Sequence, residues 1–197
     1  ICMSNNLMAN CGDCEAIVIE EDIQDFYLPE NGLKVILKEE HSMPMIGMSL
    51  FYNVGSHDEP IGAKGITKLM THIFNEADNI NGTSSEDRAT SINSLTRTSS
   101  IYTSRDIFSI TYDFDQAYLR EVLQIEADRM GLLDITDSCL VASKKQLKVE
   151  GVAVYGTGMF NLLKNIDNTQ EERSHPYSYS EFGEFNQIDT LSVATIK

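Results

Sequence analysis

The sequence predicts an α+β fold in which helices pack on one face of an antiparallel sheet. Two observations carry this expectation. Segments that alternate apolar and polar residues cluster early in the chain, whereas segments with helical spacing cluster late, an order that builds layers. The first two alternating segments also flank Pro29-Glu30-Asn31-Gly32, whose turn chemistry joins neighbouring antiparallel strands.

Taken in order, Ile23 to Leu28 and Leu33 to Glu39 are the two strands of that hairpin. Met45 to Val54, rich in Met, Ile, Leu, Phe, Tyr and Val, is a third. Ile66, Leu69, Met70 and Ile73 recur at helical spacing, which predicts a helix from Ile61 to Glu76. Asn79 to Ser85 is polar and loop-like, and Ser85 is placed to cap a short helix reaching about Leu95. Ser99 to Ser104 and Asp106 to Phe114 read as two further strands. Asp115 suits the N-cap of a helix to Met130, with Gly131 as its stop. Thr136 or Asp137 opens a long helix ending near Gly156, a last helix is expected over Met159 to Glu171, and Thr190 to Lys197 resembles a helix start. Residues 1–20 lack periodicity and read as a polar N-terminal tail before a single domain over 21–197.

A chain of 197 residues with 42% hydrophobic residues is long enough for one packed core. Its formal charge of −15 argues against nucleic acid and against an anionic membrane surface, because phosphate binding needs clustered Lys and Arg. Basic partners, including basic peptides, suit it better. No stretch approaches the roughly 20 apolar residues that span a bilayer. The first residues lack a basic start and an apolar run, so no signal peptide is read. Ile1 is not an initiator, which leaves a removed leader, and with it an exported or organellar destination, open. Cys11 and Cys14 have C-x-x-C spacing, yet no second pair follows, so they read as part of a flexible tail.

The chemistry-bearing stretch is Gly65-Ile66-Thr67-Lys68-Leu69-Met70-Thr71-His72. Positions four apart share a helix face, so 68 and 72 could hold one cation together while 71 reached a bound water. The frame resembles the inverted zinc motif H-x-x-E-H, with Lys68 at the first histidine and Thr71 at the glutamate. A protonated lysine has no lone pair to donate, and a threonine hydroxyl is too weak an acid to shuttle protons near neutral pH. His72 and Glu76 also share a face, but two donors rarely hold zinc tightly.

Landmarks around this helix extend the resemblance. Tyr27-Leu28-Pro29-Glu30-Asn31-Gly32-Leu33 leads to Glu40-His41-Ser42-Met43-Pro44, then to Phe51-Tyr52-Asn53-Val54-Gly55-Ser56 and a turn carrying Gly62 and Gly65. Later come Leu123-Gln124-Ile125-Glu126-Ala127-Asp128-Arg129-Met130, Ser174-His175-Pro176-Tyr177 and Ile188-Asp189-Thr190-Leu191. In order and spacing these resemble the N-terminal domain of the M16 peptidases, the pitrilysin, insulinase and mitochondrial processing peptidase family, over roughly Asp25 to Thr195. The resemblance implies the family's α+β domain. It also implies a third zinc ligand, a glutamate seventy-odd residues past the second histidine, which Glu150 matches. The ligand positions then fall on Lys68, His72 and Glu150, and the general-base position on Thr71. No zinc cofactor is expected from that set. His72 and Glu150 read as vestigial ligands, and Glu150 pairing with Lys68, or His72 as an ordinary helix histidine, are the plainer alternatives.

By the same resemblance Ser100, Ile101, Tyr102 and Thr103 lie on the edge strand against which family substrates extend. Complete members carry a second, similar domain that is absent here, so the chain reads as a fragment or as one half of an assembly. The function that follows is a non-catalytic homologue, holding peptides or serving an active M16 subunit as partner. Two alternatives stand beside it: an active zinc metalloendopeptidase with altered ligands, in which His41 or His57 would be the spare histidines, and a structural interaction domain.

Overall fold

A computed structural model of the chain describes residues 23–156, 177 and 180–196. The Cys11 to Cys14 stretch and the helix expected over Met159 to Glu171 lie outside these residues. The structure divides into two compact units, Ile1–Met43 and Pro44–Lys197. In the first, β1 (Ile23–Tyr27) pairs antiparallel with β2 (Lys34–Lys38), with Phe26 opposite Val35. The turn closes as expected, with Gly32 in the left-handed region and the Asn31 side chain accepting from the Leu33 amide.

The second unit is built on a three-stranded antiparallel sheet. β3 (Met45–Tyr52), β5 (Thr96–Thr103) and β6 (Phe108–Asp115) run in the order β3-β6-β5. A small ladder joins β4 (Asp78–Asn79) to β7 (Leu133–Asp134). On the central strand β6, Phe108, Ile110, Tyr112 and Phe114 are buried on one face. Against that face pack Met70 and Phe74 of α1 (Ile66–Glu76), Ile92 of α2 (Ser85–Leu95) and Val122 of α3 (Leu119–Leu132). The expected α+β architecture is therefore present.

α1 is the central helix. Leu69 and Ile73 turn towards a second core, made with Cys139, Leu140 and Leu147 of α4 (Asp137–Tyr155) and with Phe182, Ile188 and Leu191 of the C-terminal segment. That segment contains α5 (Phe185–Thr190) and a final turn, Val193–Ile196. A helix opening at Thr190 is thus corrected, because Thr190 closes α5.

Other boundaries move for identifiable reasons. α1 starts at Ile66 because Gly62 and Gly65 both take positive φ, which no right-handed helix accommodates. The buried Glu59 carboxylate supplies the missing cap, accepting from the amides of Gly65 at 2.6 Å and Thr67 at 2.8 Å. Ser84, rather than Ser85, caps α2 by accepting from the Asp87 amide. β5 begins earlier than expected, directly after α2, with a register shift between Thr96 and Thr98. It stops at Thr103 because the Ser104 hydroxyl accepts from the amides of Asp106 and Ile107 and turns the chain. Asp115 does cap, but its carboxylate serves the 3-10 turn Gln116–Tyr118 that precedes α3. α3 continues through Gly131, and extended backbone at Leu133, recruited into β7, ends it.

Candidate functional site

The site grows from the α1 cap. Gly65 sits at φ 94° with no room for a side chain, since a Cβ would come within 2.6 Å of the Phe182 carbonyl oxygen. Gly183 meets the Lys64 carbonyl more closely still, so the C-terminal segment lies backbone to backbone against the start of α1. Lys144 fastens the same segment from α4 by donating to the carbonyls of Asp189 and Leu191. These contacts bring Glu181 and Phe182 beside the α1 face that carries Lys68 and His72.

On that face Lys68 and His72 stand one turn apart and meet the same carboxylate on α4. Lys68 Nζ lies 2.9 Å from Glu150 Oε1, and His72 Nε2 lies 3.0 Å from Glu150 Oε2. The lysine side chain is only 14% exposed, and its ammonium also stands 5.1 Å from the centre of the Phe182 ring, a cation–π contact. Burial holds the His72 imidazole below its ordinary pKa, against the pull of Glu150 in the other direction. Burial thus favours the uncharged imidazole, and the Glu150 carboxylate facing Nε2 at 3.0 Å makes that nitrogen the donor of the hydrogen bond. Thr71 is buried, and its hydroxyl donates to the Lys68 carbonyl at 2.7 Å within its own helix.

Glu181 is a residue that sequence reasoning missed. Burial raises its carboxyl pKa, the neighbouring Glu150 raises it further, and Lys68 opposes both. Nothing in its local sequence signals this, because only the Gly183 crossing carries it to α1. Glu76, considered as a partner for His72, accepts instead from Gln146 of α4 at 3.4 Å. His57 is engaged with the Arg105 carbonyl, Asp58 and Asp106, apart from the Lys68, His72 and Glu150 group.

Lys68, His72 and Glu150 are thus brought together, whereas Thr71 contributes no free hydroxyl. The donor set does not fit zinc. It offers one imidazole and one carboxylate that already holds an ammonium, whereas zinc takes three or four deprotonated donors with free lone pairs.

Ser100, Ile101, Tyr102 and Thr103 lie together on β5, an outer strand of its sheet. Their ladder partners on β6 are Thr111, Ile110, Ser109 and Phe108, and among the described residues no strand pairs on the other side. Tyr102 is exposed and Thr103 buried, so the strand presents backbone groups and one aromatic ring outward.

The sequence profile of the insulinase family, peptidase family M16, matches residues 34–169. No curated protein matches the chain by sequence. Among solved structures, a protease from Helicobacter pylori is similar with TM-score 0.80 and 22% identity, over 88% of this chain and 41% of that one. An inactive peptidase M16 domain from Pseudomonas fluorescens gives TM-score 0.76 and 20% identity, over 89% and 42%. The periplasmic protease PqqL from Escherichia coli gives 0.79 and 15%, over 90% of this chain and 20% of that one. At such identities the likeness is one of fold, and the chain spans less than half the length of each. Among the described residues no helix is long and apolar enough to cross a membrane.

Proposed function

This chain belongs to the insulinase family of M16 peptidases, and from that premise we propose that it is a non-catalytic member that holds extended peptides within a larger M16 assembly. The observation that carries the proposal is the ion pair between Lys68 and Glu150. If the family's ligand positions fall on Lys68, His72 and Glu150, an ammonium now neutralises the carboxylate that would bind the metal. The general-base position falls on Thr71, whose hydroxyl is bound to its own helix and has no basicity to offer at neutral pH. The Pseudomonas fluorescens relative, described as an inactive domain, is in keeping with a family that retains such chains.

Holding a peptide needs neither group. An extended segment adding to the β5 edge would satisfy backbone donors and acceptors along Ser100 to Thr103, which provides affinity with little sequence demand. The chain spans less than half the length of these structural relatives, and in this reading its partner is a second M16 domain or an active M16 subunit. No zinc is required. A PqqL-like periplasmic setting accords with an exported chain.

The deciding measurement is metal content of the purified chain beside a Lys68→His, Thr71→Glu double variant, each with peptide cleavage in the presence and absence of chelator. Near-zero zinc in the natural chain and partial recovery in the variant are expected. Stoichiometric zinc, or chelator-sensitive cleavage by the natural chain, overturns the proposal.

A further inference from the structure

The face of the β3-β6-β5 sheet turned away from the helices has a pattern of its own. Alternation along β6 puts Ser109, Thr111, Asp113 and Asp115 on that face, and the ladders set Phe51 of β3 and Tyr102 of β5 on either side of Ser109. Phe51 is 66% exposed and Tyr102 56%, whereas Ser109 is buried between them. Among the described residues neither ring stacks on another ring or lies beneath a cation. The next row, Ser49, Thr111 and Ser100, carries only hydroxyls, and the row after it joins Gly47, Asp113 and Thr98. Asp113 is exposed; its Oδ2 accepts from the Thr98 hydroxyl at 2.6 Å, and its Oδ1 lies over Gly47, 3.5 Å from where a Cβ would stand.

This row suits a cation. Side chains on the outer strands of a three-stranded sheet stand about 10 Å apart, so a cation seated between the rings lies about 5 Å from each, within the ~6 Å reach of cation–π attraction. The charged groups at paired positions of this face are the carboxylates of Asp113 and Asp115. Arg97, the one cation in these three strands, falls in the register shift of β5, five residues from Tyr102. We infer that the open face of the sheet binds a basic polypeptide segment, with one Arg or Lys side chain between Phe51 and Tyr102 and a second, four residues along, reaching Asp113. Ser109 and Asp113 are four residues apart on an extended strand, about 13 Å, and a peptide laid lengthwise in extended form spaces its side chains alike. The formal charge of −15 favours the encounter. Binding of this kind uses side chains on the sheet face, so it depends neither on the backbone groups of the β5 edge nor on the Lys68 site.

The test is calorimetric titration of the whole chain, at physiological ionic strength, with the capped peptide acetyl-Arg-Gly-Ser-Gly-Arg-amide and with the same peptide carrying citrulline, the uncharged isostere, at both arginines. The arginine peptide should bind roughly tenfold more tightly, in line with cation–π and charge-assisted contacts. Phe51→Val and Tyr102→Val, at exposed positions where a β-branched residue suits the strand, should each remove most of that preference, and Asp113→Asn should remove part of it. No binding of the arginine peptide overturns the inference. So does a preference that survives the combined Phe51→Val and Tyr102→Val change, which would reveal diffuse attraction to the net charge. A dimer in sedimentation that Phe51→Val dissolves would give the face to a second copy of the chain and overturns it as well. Equal binding of both peptides overturns it while leaving the edge-strand reading intact.

Discussion

Glu150 on α4 divides its two oxygens between Lys68 at 2.9 Å and His72 at 3.0 Å, so a single carboxylate ties one turn of α1 to a helix 78 residues further along. Its energetic weight is modest. The lysine is largely buried but the carboxylate is 36% exposed, and desolvation offsets most of the attraction in such pairs.

Breaking the pair from one side is therefore more harmful than removing it whole. Lys68→Met should cost about 1–2 kcal/mol, because Glu150 stays partly buried without its cation, whereas Lys68→Met with Glu150→Leu should recover most of that loss. Urea unfolding of the double-mutant cycle measures both. Additive losses would mean that the two side chains do not interact.

His72 makes stability depend on pH. Its folded pKa lies below the unfolded value of 6.5, chiefly because burial disfavours the imidazolium. Between the two values the unfolded chain binds more protons, so this contribution is complete above pH 6.5 and declines as pH falls through the folded pKa. His72→Gln should flatten the stability profile below pH 6.5 relative to the natural chain. An unchanged slope in denaturant titrations at pH 5 and pH 7 would contradict this.

Glu59 terminates α1 in place of a conventional capping residue. Glu59→Ala leaves the buried amides of Gly65 and Thr67 without acceptors, and a loss of about 2–3 kcal/mol is expected in thermal unfolding. Glu59→Gln keeps one acceptor oxygen and should lose less.

Gly183 is the crossing point of the C-terminal segment over α1. A methyl group there meets the Lys64 carbonyl at a positive φ of 62°, so Gly183→Ala should destabilise by about 1–3 kcal/mol. Amide exchange should localise the loosening to α5 and the first turn of α1. Uniform acceleration across β6 instead would show that the segment is not a separate clamp.

Where local chemistry decides, the sequence was readable. Period-two alternation located β6, helical spacing located α1 and α4, and Thr136 caps α4 as its side chain invites. Boundaries slipped where a distant group intervened: Glu59 sets the start of α1, and pairing of Leu133 with Asn79 sets the end of α3 despite Gly131.

The sequence by itself determined the family, the α+β layers and the residue types on the Lys68 face of α1, because each follows from side-chain chemistry and spacing along one element. Only the tertiary structure decided what those residues do. It turned the Thr71 hydroxyl into its own helix, joined Lys68 and His72 to Glu150, carried Glu181 and Phe182 over them, and set Phe51 and Tyr102 on either side of Ser109. Those outcomes depend on backbone approaches between segments far apart in the chain, and such approaches leave no period or local motif to read.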